Sequence, residues 1–241
     1  MKFDNNFSVT KLFISKNIIV YADGIPIRII AHSVREFYDD VDLNSVYHLW
    51  TTSLSSIQKL YFTQIKDSFE ALTVMIFEYG QYSKYRDIAN KMRKVLLQFL
   101  PEANIDMSQK KITLGNLTMN SEIWEYILYI LKLSCGEKVN QPLSFDSEEA
   151  RKFYMAQREQ EEKIARIKRS GQQDKDGLIK ILLSITYKFP SLTIDYLCNQ
   201  TMAQIQWLQK YAAGAVSYEV NAQALAAGNM KKGKKLDFFI K

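Results

Sequence analysis

Apolar residues recur at steps of three and four over much of the chain, which is the spacing of one face of an α-helix. This pattern predicts a long helix over residues 56–79 that ends at Gly80, and a second helix over 83–100 that ends at Pro101. A further helix over 122–133 is apolar on nearly all sides. We therefore expect that helix to be buried.

Two other stretches have the pattern of β-strands joined by tight turns. Residues 11–30 place β-prone apolar runs on either side of an Asp-Gly pair, and residues 111–119 do so around a Gly-Asn pair. A helical pattern follows over 33–50, which Ser33 can cap, and a second short helix is expected to start near Asn44. The predicted fold class is therefore mainly α, with one small β-hairpin near the start and another near 111–119.

The rest of the chain begins with a strongly charged segment. The helix predicted over 147–170 has 12 charged residues among its 24, and the composition of 170–177 is typical of a linker. An apolar helix over 178–189 follows, and then a long helix from Thr201, whose apolar stripe includes Val216. The predicted organisation is a mostly helical N-terminal domain (1–140), a linker with a charged connecting helix (141–176), and a smaller helical C-terminal extension with a basic tail (177–241).

Composition supports a helical protein of the cell interior. Apolar residues make up 47% of the chain, and four prolines and nine glycines among 241 residues favour long helices over a loop-rich fold. No apolar run is long enough to cross a bilayer, and the N-terminus lacks a secretory pattern. Cys135 and Cys198 form no disulfide framework. We expect a soluble protein in a reducing compartment, with no membrane partner.

Charge is concentrated at the C-terminal end. The net charge is +6, and residues 231–241 carry five lysines and one aspartate. A solubilising tail is the preferred interpretation, and contact with nucleic acid or an acidic partner is the alternative. A small basic patch on the charged helix is diluted by glutamates, so we do not expect nucleic acid to be the main partner.

The side chains that carry chemistry are scattered along the chain. His32 and His48 lack a Cys or His at metal-ligand spacing, and no glycine-rich phosphate-binding motif is present. Paired carboxylates lie in charged stretches, where solvation explains them. We therefore expect no catalytic residue, no metal and no cofactor, and a protein that acts through its surfaces.

Several short stretches, in their order along the chain, carry a family resemblance. They are Ile27-Arg28-Ile29-Ile30 with Ser33-Val34-Arg35-Glu36-Phe37; Trp124-Glu125-Tyr126-Ile127-Leu128 through Leu133-Ser134-Cys135-Gly136; Gly177-Leu178-Ile179-Lys180; Ser191-Leu192-Thr193-Ile194-Asp195-Tyr196-Leu197; Thr201-Met202-Ala203-Gln204-Ile205; and Ala227-Gly228-Asn229-Met230-Lys231-Lys232-Gly233. In this order they resemble the tail assembly chaperones of long-tailed phages that infect Gram-positive bacteria.

The resemblance implies a non-enzymatic role in tail morphogenesis, in the cytoplasm of the host. Such chaperones are often made in a short form and, by ribosomal frameshift, in a longer one. Their shared N-terminal domain coats the tape measure protein, and their extension recruits tail tube subunits. Residues 1–140 would be the common domain and 177–241 the extension. Self-association, and whether this chain is a frameshift product, stay open.

The expected partner-binding residues lie on the charged helix, the last helix and the tail. They are Arg158, Arg166, Arg169, Trp207, Tyr211, Lys231, Lys232, Phe238 and Phe239. Two alternative functions stay open. The first is a structural tail or baseplate protein that is retained in the virion, and the second is a basic nucleic-acid-binding accessory protein.

Overall fold

The computed structural model describes most of the two helical regions and leaves out the segment between them. The described residues are 12, 15–52, 57–58, 65–137, 139 and 177–227. Within them the protein is mainly helical with two small antiparallel sheets, which confirms the predicted fold class. The expected charged helix over 147–170, its flanking linkers and the basic tail over 231–241 lie outside the described residues, as does the predicted strand at 13–14.

The expected first hairpin is present. Strand β1 (Asn17–Ala22) pairs antiparallel with β2 (Ile25–Ile30), with Val20 opposite Ile27. The turn between them places Asp23 and Gly24 at φ values of 47° and 79°, the left-handed conformation that an Asp-Gly pair adopts readily. Alternate side chains of both strands are buried against the helices.

Two helices follow the hairpin, and both begin at side-chain caps. Helix α1 (Val34–Asp39) starts at Ser33, which forms a capping box with Glu36, as expected. Helix α2 (Val41–Thr51) starts earlier than the expected position near Asn44. The carboxylate of Asp40 accepts hydrogen bonds from the first-turn N–H groups of this helix and so fixes its start.

The prediction of one continuous helix over 56–79 is wrong. Residues 65–66 are not helical, and helix α3 (Ser68–Thr73) begins only after them. Asp67 accepts a hydrogen bond from the backbone N–H of Glu70, whose own carboxylate accepts one from the N–H of Lys66. These two hydrogen bonds cap the start of a new helix. The apolar pattern over 56–79, taken alone, favours a single unbroken helix there.

The predicted stop at Gly80 is also wrong. Helix α3 continues as a π-helical turn (Val74–Glu78) and a 3₁₀ turn (Tyr79–Gln81), so Gly80 lies within the helical segment. The guanidinium of Arg93 donates a hydrogen bond of 3.0 Å to the carbonyl oxygen of Ile76 in the wide turn. The irregular turns therefore have side-chain support that sequence periodicity does not reveal.

The next predicted elements are confirmed with small shifts. Helix α4 (Arg86–Phe99) ends just before Pro101, and helix α5 (Ser121–Ser134) is capped by Asn120. Between them lie β3 (Ala103–Asp106), β4 (Lys111–Leu114) and β5 (Leu117–Thr118), in that order in one sheet. The last two are the expected hairpin at 111–119, and β3 is an additional strand.

The main core is built around three aromatic rings from different helices. Trp50 of α2 lies 5.9 Å from Phe99 of α4 and 5.3 Å from Trp124 of α5, measured between ring centroids. All three are at most 5% exposed. Such ring pairs contribute about 0.5–1.5 kcal/mol each beyond their burial, so they fix how the three helices pack.

The C-terminal helices form a second, smaller apolar cluster. Helix α6 (Gly177–Lys188), the short α7 (Ile194–Cys198) and the long α8 (Met202–Ala226) match the predicted elements closely. Thr201 and Gln204 form the expected capping box at the start of α8. The buried members of the cluster are Val34, Leu182, Ile185, Leu197 and Ile205.

The N-terminus of α1 joins this cluster to the rest of the protein. The side chain of Val34 is buried in the C-terminal cluster, and its backbone N–H donates a 2.9 Å hydrogen bond to the carbonyl oxygen of Gln200. After α5, Gly136 adopts a φ of 75° and lies against the side chain of Gln206 on α8. The predicted domain boundaries at 140 and 177 stay a prediction.

Candidate partner-binding groove

An open groove of about 740 Å³ runs between α6 and α8. Its surface is mainly apolar. The lining residues are Leu183, Ser184, Thr186, Tyr187 and Lys188 from α6, and Gln209, Ala212, Ala213 and Val216 from α8. A concave apolar surface of this size with a few polar groups is typical of a binding site.

The α6 wall of the groove follows from the helical period. Leu183 and Tyr187 are four residues apart and share one face, and they are 50% and 89% exposed. Leu182 and Ile185 lie on the other side of the helix and are buried in the C-terminal cluster. Because α6 is apolar on both sides, burying one side leaves the other side in contact with solvent.

The α8 wall is formed in the same way. Gln209, Ala213, Val216 and Val220 follow one another at steps of four, three and four residues, so they share a face. Val216 and Val220 are 47% and 58% exposed. Val216, which belongs to the predicted apolar stripe of this helix, is therefore largely exposed. No described side chain of α8 beyond Ala212 is buried, so within the described residues the second half of the helix covers no core.

Both acidic side chains of the C-terminal helices are engaged in ion pairs. Asp195 of α7 accepts a 2.6 Å hydrogen bond from Arg35 of α1, and this contact raises the pKa of the arginine. Glu219 of α8 pairs with Lys188 of α6 at the edge of the groove. The first pair holds α7 near α1, and the second connects the two helices that form the groove.

Two further lysines of α6 and α8 do not line the groove. Lys180 is one turn before Leu183 on the same face of α6, and Lys210 is one turn before Ala213 on α8. Asp195 and Glu219 are the only acidic residues of 177–227. With three lysines, this described range has a formal net charge of +1.

Two predicted site residues lie on another face of α8. The rings of Trp207 and Tyr211 stack at 5.8 Å with an interplanar angle of 13°, and Tyr211 stacks on Phe189 at 5.7 Å. Both are more than 40% exposed. The helical period directs Trp207 and Tyr211 away from the face that carries Val216. The two rings and Phe189 therefore form a row of stacked aromatic side chains that is separate from the groove.

The other predicted partner-binding residues lie outside the described residues. They are Arg158, Arg166, Arg169, Lys231, Lys232, Phe238 and Phe239. The structure thus brings two of the nine together, and their role stays a prediction.

The groove residues were not among those predicted, although the sequence carries a signal for them. Helix α8 has a single lysine and a single glutamate among its 25 residues. A helix with so few charges that is not covered on all sides exposes apolar surface. Which apolar residues of α6 and α8 face outward depends on how the two helices pack, and the sequence pattern alone does not fix that.

A partly buried polar cluster links α2 to the end of α5. The hydroxyl of Tyr47 donates a 2.8 Å hydrogen bond to the carboxylate of Glu137. Burial raises the pKa of the neighbouring Cys135 thiol to about 12. At neutral pH this thiol is therefore protonated, a form in which cysteine is a weak nucleophile.

A second polar cluster stabilises the start of α1. Although burial by itself raises the pKa of the Glu36 carboxyl, hydrogen bonds from Ser33 and the charge of Lys16 hold it at about 2. His32 lies edge-on to Phe99, with 4.8 Å between ring centroids. Burial lowers the pKa of His32 and outweighs the opposite effect of Glu36. The cluster therefore positions the backbone that meets the C-terminal helices.

Other recognisable features are missing from the part of the chain that the structure describes. Its His, Cys, Asp and Glu side chains form no group of three or more that could hold a metal ion. None of its helices combines the length and the apolar character needed to cross a membrane. No protein family, curated protein or solved structure was found to match the chain.

Proposed function

We propose that this protein is a non-catalytic assembly chaperone of phage tails. Its N-terminal domain binds the tape measure protein, and its C-terminal helices recruit tail tube subunits. The groove between α6 and α8 is the observation that carries this proposal. It offers a ready-made apolar binding surface on the helices that the family resemblance assigns to tube-subunit recruitment.

The character of the groove suits a partner that must later leave. The groove is open to solvent and is formed by two helices only, and small interfaces of specific complexes are often transient. An assembly chaperone has to dissociate as the tube grows, so a modest interface is an advantage. Leu183, Tyr187 and Val216 are its central apolar side chains.

The proposal is tested by co-expressing the full chain with the tape measure and tail tube proteins of the same phage. We expect both to co-purify with the tagged wild-type chain. Leu183→Asp should release the tube subunit and retain the tape measure protein, because the charge lies on the groove wall. The matched control is Leu97→Asp, since Leu97 is a comparably exposed leucine on α4. Loss of neither partner with Leu183→Asp, or binding of neither partner by the wild type, would contradict the proposal.

Mass spectrometry of purified virions separates a chaperone from a structural tail or baseplate protein. We expect this chain to be absent from finished particles or present only in traces. Many copies per particle would favour the structural alternative.

A further inference from the structure

We infer that a second copy of this chain docks on the groove between α6 and α8, so that the free protein forms a reversible two-fold dimer. The inference goes beyond the proposed function, because it concerns the chain before a tail protein is bound. A tail tube subunit at the same groove would have to displace the second copy.

One side chain of the groove protrudes from its wall. Tyr187 lines the groove near the C-terminal end of α6, yet it is 89% exposed, so its own chain covers almost none of the ring. Tyrosine combines a large apolar ring with a hydroxyl group that can stay in water, and it is enriched at protein interfaces. We call this ring the knob.

The opposite wall has room for such a ring. Ala212 and Ala213 of α8 line the groove between the larger side chains of Gln209 and Val216. Each alanine side chain is a single methyl group, so the pair leaves a shallow gap in the wall, which we call the hole. The same surface of the molecule therefore carries a knob on α6 and a hole on α8.

A knob and a hole on one surface fit an isologous dimer, in which each copy gives the contact that it also receives. A two-fold axis that runs along the groove places α6 of one copy against α8 of the other. Each Tyr187 ring then enters the hole of the other copy, and the four helices form a bundle.

Charge also favours a second copy over a charged partner. Among the described lining residues Lys188 alone is charged, and it pairs with Glu219 of the same chain. The lining therefore offers no net charge to an acidic or a basic segment. Two copies of this surface meet without the repulsion that like charges would cause.

The size of the surface predicts a weak dimer. Helix α6 has 12 residues, which is about 18 Å at the helical rise, and two packed helices are about 20 Å wide. Two faces of these dimensions bury on the order of 700 Å² in total, and interfaces below about 1,200 Å² are typical of weak, transient complexes. Monomer and dimer should therefore interconvert with concentration.

The experiment is sedimentation velocity of the purified full chain from about 1 to 500 μM, a range that covers weak complexes. We expect the sedimentation coefficient to rise with concentration from the monomer value toward the dimer value. Tyr187→Ala should weaken the dimer about a hundredfold, because a buried tyrosine contributes about tenfold or more and the two-fold axis places each substitution in the interface twice. The matched control is Tyr38→Ala, which should change nothing, since Tyr38 is an exposed tyrosine on α1.

An exchange of the knob and the hole tests the geometry of the dimer. Ala213→Tyr alone should weaken the dimer, because two rings then meet at each contact. Tyr187→Ala combined with Ala213→Tyr moves the ring from α6 to α8 and should restore most of the affinity, a rescue that non-specific apolar contact does not give. Both positions are exposed in the single chain, and circular dichroism checks that each variant keeps its fold.

A monomer at every concentration would overturn the inference. So would a dimer that Tyr187→Ala leaves intact, or one that the combined substitution fails to restore. Co-purification of the tail proteins with a chain that shows no dimer would contradict the inference and leave the proposed function standing. The expected dimer without such co-purification would do the reverse.

Discussion

Two positions of α6 that are two residues apart give a direct test of which side of this helix is buried. Ile185 is fully buried in the C-terminal cluster, whereas Leu183 is 50% exposed on the groove wall. We predict that Ile185→Ala lowers the free energy of unfolding by about 2–5 kcal/mol, because it removes buried apolar surface and leaves a cavity. Leu183→Ala should cost less than about 1 kcal/mol, since half of its side chain is already in water and alanine favours helix.

The measurement is urea unfolding of both variants, followed by circular dichroism and tryptophan fluorescence. The expected difference between the two variants is at least about 1 kcal/mol, which corresponds to roughly 2–4 °C in Tm for a chain of this size. A similar large loss for both variants would refute the orientation of α6, because Leu183 would then be buried and the groove closed. An unchanged stability of Ile185→Ala would refute the C-terminal cluster itself.

Three further predictions concern the rest of the protein. Burial lowers the pKa of His32 in the folded protein. The free energy of unfolding should therefore fall as the pH decreases below about 6.5, where the unfolded chain binds a proton that the folded protein does not. In urea melts at a series of pH values, His32→Phe should remove this part of the pH dependence. Glu36 has a pKa of about 2 in the folded protein. Its contribution to the free energy of unfolding should therefore be present above about pH 4.5 and be lost as the pH falls toward 2. Glu36→Gln should reduce the loss of stability over this pH range in the same urea melts. Gly136→Ala should destabilise the protein by about 1 kcal/mol, because position 136 has a positive φ that alanine adopts only with strain, and the flexible end of the Gln206 side chain would have to move away from the added Cβ. Thermal melts beside the exposed control Gln109→Ala measure this loss, and equal Tm values for the two variants would contradict the prediction.

The sequence was most informative where local signals and periodicity agree. The Asp-Gly turn after β1, the Ser33 capping box and the Thr201 capping box each mark a boundary that the structure confirms. Helix α5 is buried on most sides, as its nearly continuous apolar character indicates. These features depend on interactions within a few residues, so they can be inferred without the fold.

The predictions were wrong where a local helix cap or a tertiary contact overrides the structure that the spacing of apolar residues favours. Asp67 and Glu70 start a new helix within the pattern over 56–79, and Arg93 supports the irregular turns after it from a distant position in the chain. The outward face of Val216 is likewise fixed by the packing of α6 against α8. The groove is therefore a tertiary property, and the sequence indicated only that its helices are unusually poor in charge.

Hydrogen–deuterium exchange of the full chain, alone and with its tail tube subunit, tests most directly that the groove is the partner-binding surface. We predict slower exchange in 180–188 and 209–220 when the subunit is bound, with little change in the hairpin of β1 and β2. A stable complex in which protection falls elsewhere and α6 and α8 exchange as in the free protein would contradict this account.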